Sequence, residues 1–180
     1  MIRIPNDTCN VYQPKGFTLV ELMVAMAIVG IITSMAIPAY LSWKPRTEVR
    51  SAVMQVQSDL NRAKMRAVEM RRQCRVEFSA TGYRIFDGNR IMNSNQWGNI
   101  DSKGVFTNSI PAMARDFSDY PGVTLRTGGG AVIGAGSEPK IIFSPRGTAN
   151  SLNSIQVHHP HATGAKIAVD IVSRIRTEWL

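Results

Sequence analysis

Cysteine is scarce in this chain, with only Cys9 and Cys74 present. No close cysteine spacing of the zinc-binding kind exists, and no serine, cysteine or histidine sits in a recognisable nucleophile setting. The chain is therefore read as a non-enzyme that needs no cofactor. Charge is the second scarcity, and it is local. The 22 residues from Leu22 to Trp43 carry no formal charge. As a helix they would extend about 33 Å, enough to cross a hydrocarbon core of about 30 Å. No basic residue lies between Glu21 and Lys44. A carboxylate at the edge of a spanning segment costs roughly a few kcal/mol unless it finds a partner, which makes Glu21 a functional candidate.

What is present starts with Lys15-Gly16-Phe17-Thr18-Leu19-Val20-Glu21, followed abruptly by the apolar run. The nearest cation for Glu21 would be a free amino terminus made by cutting after Gly16, about one helical turn away. An amine from a neighbouring copy would serve equally well. This stretch resembles the processing and methylation site of type IV prepilins and type II secretion pseudopilins. The resemblance implies that a prepilin peptidase cuts between Gly16 and Phe17 on the cytoplasmic face and methylates the new terminus at Phe17. It also implies that Glu21 pairs with the terminal amine of an adjacent subunit during filament assembly. A secretory signal would be cut at a small-x-small site after its apolar region. Ala25-Met26-Ala27 fits that rule but lies in the middle of the run. A plain single-pass anchor would leave Gly16 and Glu21 unexplained.

Four segments follow. Residues 1–16 read as a cleaved leader. Residues 17–43 read as a transmembrane helix containing Gly30 and Pro38. Proline removes a helical hydrogen bond, so a kink is expected near Pro38, with Pro45 as a second place for one. Residues 44–72 read as an amphipathic continuation. There Val49, Val53, Val56, Leu60, Ala63, Ala67 and Met70 form one stripe at alternating spacings of four and three. Glu48, Arg50, Gln57, Asp59, Arg62, Arg66 and Arg72 lie off it. Residues 73–180 read as a β-rich domain that covers the stripe, giving a stalk helix with a domain packed on its far end.

Within that domain, strands are expected at 74–78, 83–87, 122–126, 140–143, 154–157 and 166–172, with turns at Thr81-Gly82 and Asp87-Gly88-Asn89. Residues 92–120 read as irregular, with one short strand near Val105. The expected fold class is α+β, a long helix packed on a mostly antiparallel sheet. The helix end Leu60-Asn-Arg-Ala-Lys-Met-Arg-Ala67, the segment Phe143-Ser-Pro-Arg-Gly147 and a basic C-terminal strand ending in Arg174-Ile175-Arg176 resemble the GspH/FimT group of minor pilins and pseudopilins. Arg174 and Arg176 are two apart, so on a strand they share a face suited to phosphate oxygens. DNA-binding members of that group carry glycine, arginine, any residue and arginine at this place. Ser173 stands where the glycine would be, which leaves the local backbone shape open.

The net charge is +8. It falls to +7 if Arg3, Asp7 and Lys15 leave with the leader. That excess suits DNA or lipid headgroups, or simply keeps a basic domain soluble. Lys15 just before the span favours a cytoplasmic start and a periplasmic domain. The partners that the resemblance implies are other pilin or pseudopilin subunits, prepilin peptidase, the inner membrane and its assembly platform. Gly128-Gly129-Gly130 opens a glycine-rich run that lacks the lysine and helix of a phosphate loop, and it reads as a strand connection. His158-His159-Pro160-His161 reads as an exposed turn rather than a metal site. Cys74 would be a lone thiol after processing, and burial is its expected fate.

Overall fold

The computed structural model describes residues 16–101, 103–134, 136, 138–150 and 153–180. The leader expected at residues 1–16 lies outside the described residues except for Gly16. Among the described residues one helix, α1 (Leu19–Glu69), precedes ten strands. These are β1 (Cys74–Ser79), β2 (Gly82–Gly88), β3 (Trp97–Ile100), β4 (Phe106–Asn108), β5 (Met113–Asp116), β6 (Thr124–Thr127), β7 (Lys140–Phe143), β8 (Asn153–His159), β9 (Ala162–Val169) and β10 (Ile175–Trp179). The chain divides into two units between Tyr40 and Leu41.

In the first unit α1 is exposed on every side, with Leu22, Met26, Ile31 and Ile37 among its bare apolar residues. By length and composition α1 is apolar enough to cross a membrane. In the second unit the same helix buries Val49, Ala52, Val53, Val56, Leu60, Ala63 and Ala67. The expected stripe runs to Met70, but the helix stops at Glu69. Arg71 turns left-handed there, with φ of 51°. Its N–H donates to the Val68 carbonyl and that of Arg72 to the Ala67 carbonyl, the paired closure of a Schellman end. A non-glycine residue makes this turn, so the sequence carries no glycine signal for it.

Two antiparallel sheets form where one was expected. The first has the order β4-β3-β2-β1-β7, with β5 also pairing β2, and the second has the order β10-β9-β8-β6. The alternation of apolar residues explains the split. Val76, Phe78, Tyr83, Ile85, Ile141 and Phe143 line one inner face, while Leu125, Ile155, Val157, Ile167 and Val169 line another. Both faces share one core with the helix stripe, so each side of the stripe gains its own apolar cover.

Residues 92–120 hold β3 and β5 as well as the short β4 expected near Val105. Neither Trp97-Gly-Asn-Ile100 nor Met113-Ala-Arg-Asp116 is rich in β-branched residues; pairing with the free edge of β2 overrides their weak propensity. The turn expected at Asp87-Gly88-Asn89 is also absent, because Asp87 and Gly88 end β2. A Cβ on Gly88 would lie 2.2 Å from Ser94 Oγ, so this glycine serves close packing rather than a turn. The strand expected to reach Val172 ends at Val169, where the chain turns into β10.

Candidate functional site

Gly16 precedes the helix, and a Cβ placed on it would meet nothing within 4 Å. Among the described residues nothing gives a steric reason for glycine there. Phe17 is bare as well, with 85% of its surface exposed. Thr18 lies just outside the first helical residue, and its Oγ1 accepts the N–H of Glu21 at 3.2 Å. Its carbonyl accepts the N–H of Leu22 at 3.2 Å. Thr18 is thus the N-cap and Glu21 the third helical residue, the spacing of a capping box of which the threonine half is formed. The carboxylate also lies where the helix dipole favours negative charge. A threonine just before the apolar run is visible in the sequence, so the capping role of Thr18 was open to sequence reasoning and was missed. The helix continues through Pro38 and Pro45, although neither has an N–H to donate to the preceding turn.

The second place of interest is the connection from β9 to β10. The Ser173 N–H donates to the Asp170 carbonyl at 2.7 Å, and the Asp170 N–H donates to the Arg174 carbonyl at 3.0 Å. This is a three-residue hairpin loop whose last position is left-handed. Ser173 takes that position with φ of 55°. The loop 144–148 has the same pair of bonds, at 3.0 and 2.8 Å, with Gly147 at φ of 75°. The loop 127–131 repeats them with Gly130 at φ of 87°. Serine therefore adopts the conformation that glycine supplies in the other loops. Its hydroxyl is buried without a hydrogen-bond partner among the described residues.

Arg174 precedes β10 and Arg176 lies within it, so the pair begins the last strand rather than ending it. Their side chains are 66% and 61% exposed. They come together at one carboxylate, with Asp170 Oδ2 at 3.8 Å from Arg174 Nη2 and 3.7 Å from Arg176 Nη2. Such loose, exposed pairs contribute little to stability, and both guanidiniums keep donors free for another anion.

The prokaryotic N-terminal methylation motif matches residues 13–37, and the family described as type II transport protein GspH matches residues 52–173, more than half of the chain. The chain belongs to the GspH family. Its N-terminal region is similar to pilins. It is 52% identical over 42 residues to a fimbrial protein of Pseudomonas aeruginosa, covering 23% of this chain and 27% of that one. It is 50% identical over 40 residues to the type IV major pilin protein PilE1 of Neisseria gonorrhoeae, covering 22% and 24% respectively. The match therefore spans about a quarter of these relatives' length. Among solved structures, the type IV minor pilin FimU of Pseudomonas aeruginosa shares the fold, with a TM-score of 0.51 at 18% identity over 76% of this chain and 92% of that one.

The GspH-family domain is fastened to its helix by polar pairs as well as apolar packing. Asp59 was placed off the stripe, yet it is buried. It accepts the Tyr83 hydroxyl at 2.6 Å and lies 3.5 Å from Arg115 Nε. Burial, then the bond to Asp59, pushes the Tyr83 phenol upward. Arg66 donates Nε to Asp87 Oδ1 at 2.7 Å and Nη2 to Asp87 Oδ2 at 2.6 Å. The Ile100 N–H also reaches Asp87 Oδ2, at 2.9 Å. Tyr83 and Asp87 alternate with Ile85 on the inner face of β2, so one strand grips two turns of the helix. Sequence spacing cannot reveal these partners, because they join residues more than twenty positions apart.

The histidine cluster is not wholly an exposed turn. His159 is buried because alternation along β8 turns it inward. Its Nδ1 accepts the His161 N–H at 3.0 Å, which leaves Nε2 to donate to the Pro121 carbonyl at 3.2 Å. Among the described residues no group of three metal-ligating side chains occurs. Gly128-Gly129-Gly130 forms the turn after β6. Cys74 is free and buried among core residues.

Proposed function

We propose that the chain is a minor pilin or pseudopilin, a structural subunit rather than an enzyme, of a type II secretion pseudopilus or a type IV pilus. Residues 17–43 anchor it in the inner membrane and residues 44–180 lie in the periplasm. Prepilin peptidase cuts between Gly16 and Phe17 and methylates Phe17. Glu21 then meets the terminal amine of an adjacent subunit as the assembly platform builds the filament, and the subunit acts at initiation or at the tip. The observation that carries this reading is the bare first half of α1. Its apolar residues face outward all round, a surface that only lipid or other helices can cover. Pro38 lies in that half and is the place where packed helices bend, since it withholds a helical N–H.

Intact mass and N-terminal sequence of the membrane-extracted chain test the reading. A start at methylated Phe17 is expected. A start at Met1 in a host with active prepilin peptidase overturns it. Gly16→Leu leaves the fold untouched and the leader attached. Glu21→Ala is expected to insert in the membrane yet enter filaments poorly; unchanged incorporation would remove the pairing role.

A second reading, DNA capture for uptake, is favoured by the exposed Arg174 and Arg176, which follow a loop that holds the left-handed shape. In neutral detergent, binding to duplex DNA is then expected to weaken with salt. Changing both arginines to alanine would lower the slope of log K against log salt by about 2. An unaltered slope excludes these residues.

A further inference from the structure

The last strand runs beside α1. Lys64 Nζ donates to the Ser173 carbonyl at 3.3 Å, and Gln57 Nε2 donates to Thr177 Oγ1. Positions 64, 57 and 50 are seven apart and so lie on one helix face. Farther along the same direction Trp179 comes beside Arg50. There Arg46, Arg50, Thr163 and Trp179 line an open cleft of about 590 Å³. Arg46 and Arg50 are one turn apart on the helix and exposed, and neither has a carboxylate partner among the described residues. The nearest helical acid, Glu48, is turned instead to Lys44 at 3.9 Å and His159 at 3.8 Å. Trp179 is 57% exposed although it ends a paired strand.

The cleft lies where the uncharged run ends. Arg46 is three residues beyond Trp43 on the same helix, about 4.5 Å along its axis, and Arg50 is about 10 Å along. Headgroup layers extend about 5–8 Å beyond each side of the hydrocarbon core. Helical side chains lean toward the N-terminus, so the long Arg50 side chain reaches back toward that layer. Two free guanidiniums, a hydroxyl and an indole there have the chemistry that holds an acidic phosphodiester at the membrane surface. We propose that this cleft binds the headgroup of an anionic phospholipid of the outer leaflet, with Arg46 and Arg50 on the phosphate and Trp179 against the upper acyl and glycerol carbons. The proposal rests on the reading that residues 17–43 span the membrane. It assigns the subunit a lipid ligand, held until assembly draws it from the bilayer.

The full chain in neutral detergent, titrated with phosphatidylglycerol and followed by native mass spectrometry, tests this. One lipid is expected to be retained per chain. Retention should weaken about tenfold or more in the variant carrying Arg46→Gln and Arg50→Gln, and several-fold in Trp179→Ala. Changing Arg174 and Arg176 to glutamine should leave it unaltered. Equal retention of phosphatidylcholine, full displacement by millimolar inorganic phosphate, or competition by a DNA oligonucleotide would each overturn the lipid assignment. So would wild-type retention in the Arg46/Arg50 variant. Resistance of the wild-type chain to carbonate extraction from membranes is scored separately. Its loss would sink the spanning reading and the proposal with it; its persistence without lipid retention would sink the proposal alone.

Discussion

The two halves of α1 share a backbone and differ in everything else. Before Tyr40 the helix shows apolar side chains on every face and keeps its one carboxylate for the first turn. From Val49 to Ala67 it hides a single stripe and carries charges around it. The first half finds no cover among the described residues; the second brings its own cover in two sheets. A helix built this way lets one element serve both as anchor and as core. The consequence is separable mutational effects: the second half should govern the stability of the domain, the first its insertion and assembly.

The largest expected break in the second half is Arg66→Ala. It strands Asp87, whose side chain is 2% exposed, with the Ile100 N–H as its remaining donor. Removing one partner of a buried pair costs about 3–5 kcal/mol. Asp87 also raises the Arg66 guanidinium through their hydrogen bond. Cys74 supplies a readout of domain opening. Burial, and next the nearby Asp87 charge, pushes its thiol from 9.0 up to about 12. Native Cys74 should therefore resist iodoacetamide at pH 8 and react only when the domain opens, sooner in Arg66→Ala. Above about pH 9 the unfolded thiol ionises while the buried one keeps its proton, so stability should fall between pH 9 and 12. Fast native alkylation would show that the thiol is not buried in the core.

Leu60→Ala sharpens the comparison with apolar chemistry alone. Leu60 is 1% exposed, and its truncation should cost about 2–5 kcal/mol in thermal or denaturant unfolding of the detergent-held chain. The same truncation at Leu22, 56% exposed, should leave the domain transition in place. Equal destabilisation would abolish the distinction between the halves. Tyr83→Phe is a milder test. It removes the hydroxyl that reaches Asp59 but leaves Arg115 nearby, so about 1–2 kcal/mol is expected.

Much of this division is legible in the sequence, for a physical reason. An uncharged run and a stripe at helical spacing are local patterns, and each dictates a surface. The strands 74–78 and 140–143 are legible in the same way, from short β-branched and aromatic runs. The grip of Asp59 and Arg66 on β2 is not, because a charged residue beside a stripe reads as solvated until its distant partner is known. The second sheet was hidden likewise: alternation in β8 and β9 shows an inner face, but not that it meets a different side of the helix. Helix and hairpin ends were misplaced where Arg71 and Ser173 take left-handed backbones without being glycine.

The smallest expected effect lies at the last of these. The carbonyl of Ser173 receives Lys64 from the second half of the helix, so the loop is part of what holds that half in place. Three features are set against its serine: a left-handed φ, a buried hydroxyl without a partner, and loops of the same bonding at 147 and 130 that use glycine. Ser173→Gly keeps the carbonyl and removes both the strain and the orphaned hydroxyl. Glycine's greater freedom in the unfolded chain offsets part of the gain. A net stabilisation of about 1 kcal/mol is expected, read as a shift of the denaturant midpoint at constant slope. Destabilisation would mean that the serine side chain contributes packing which outweighs both penalties, and the equivalence of the three loops would then end at their hydrogen bonds.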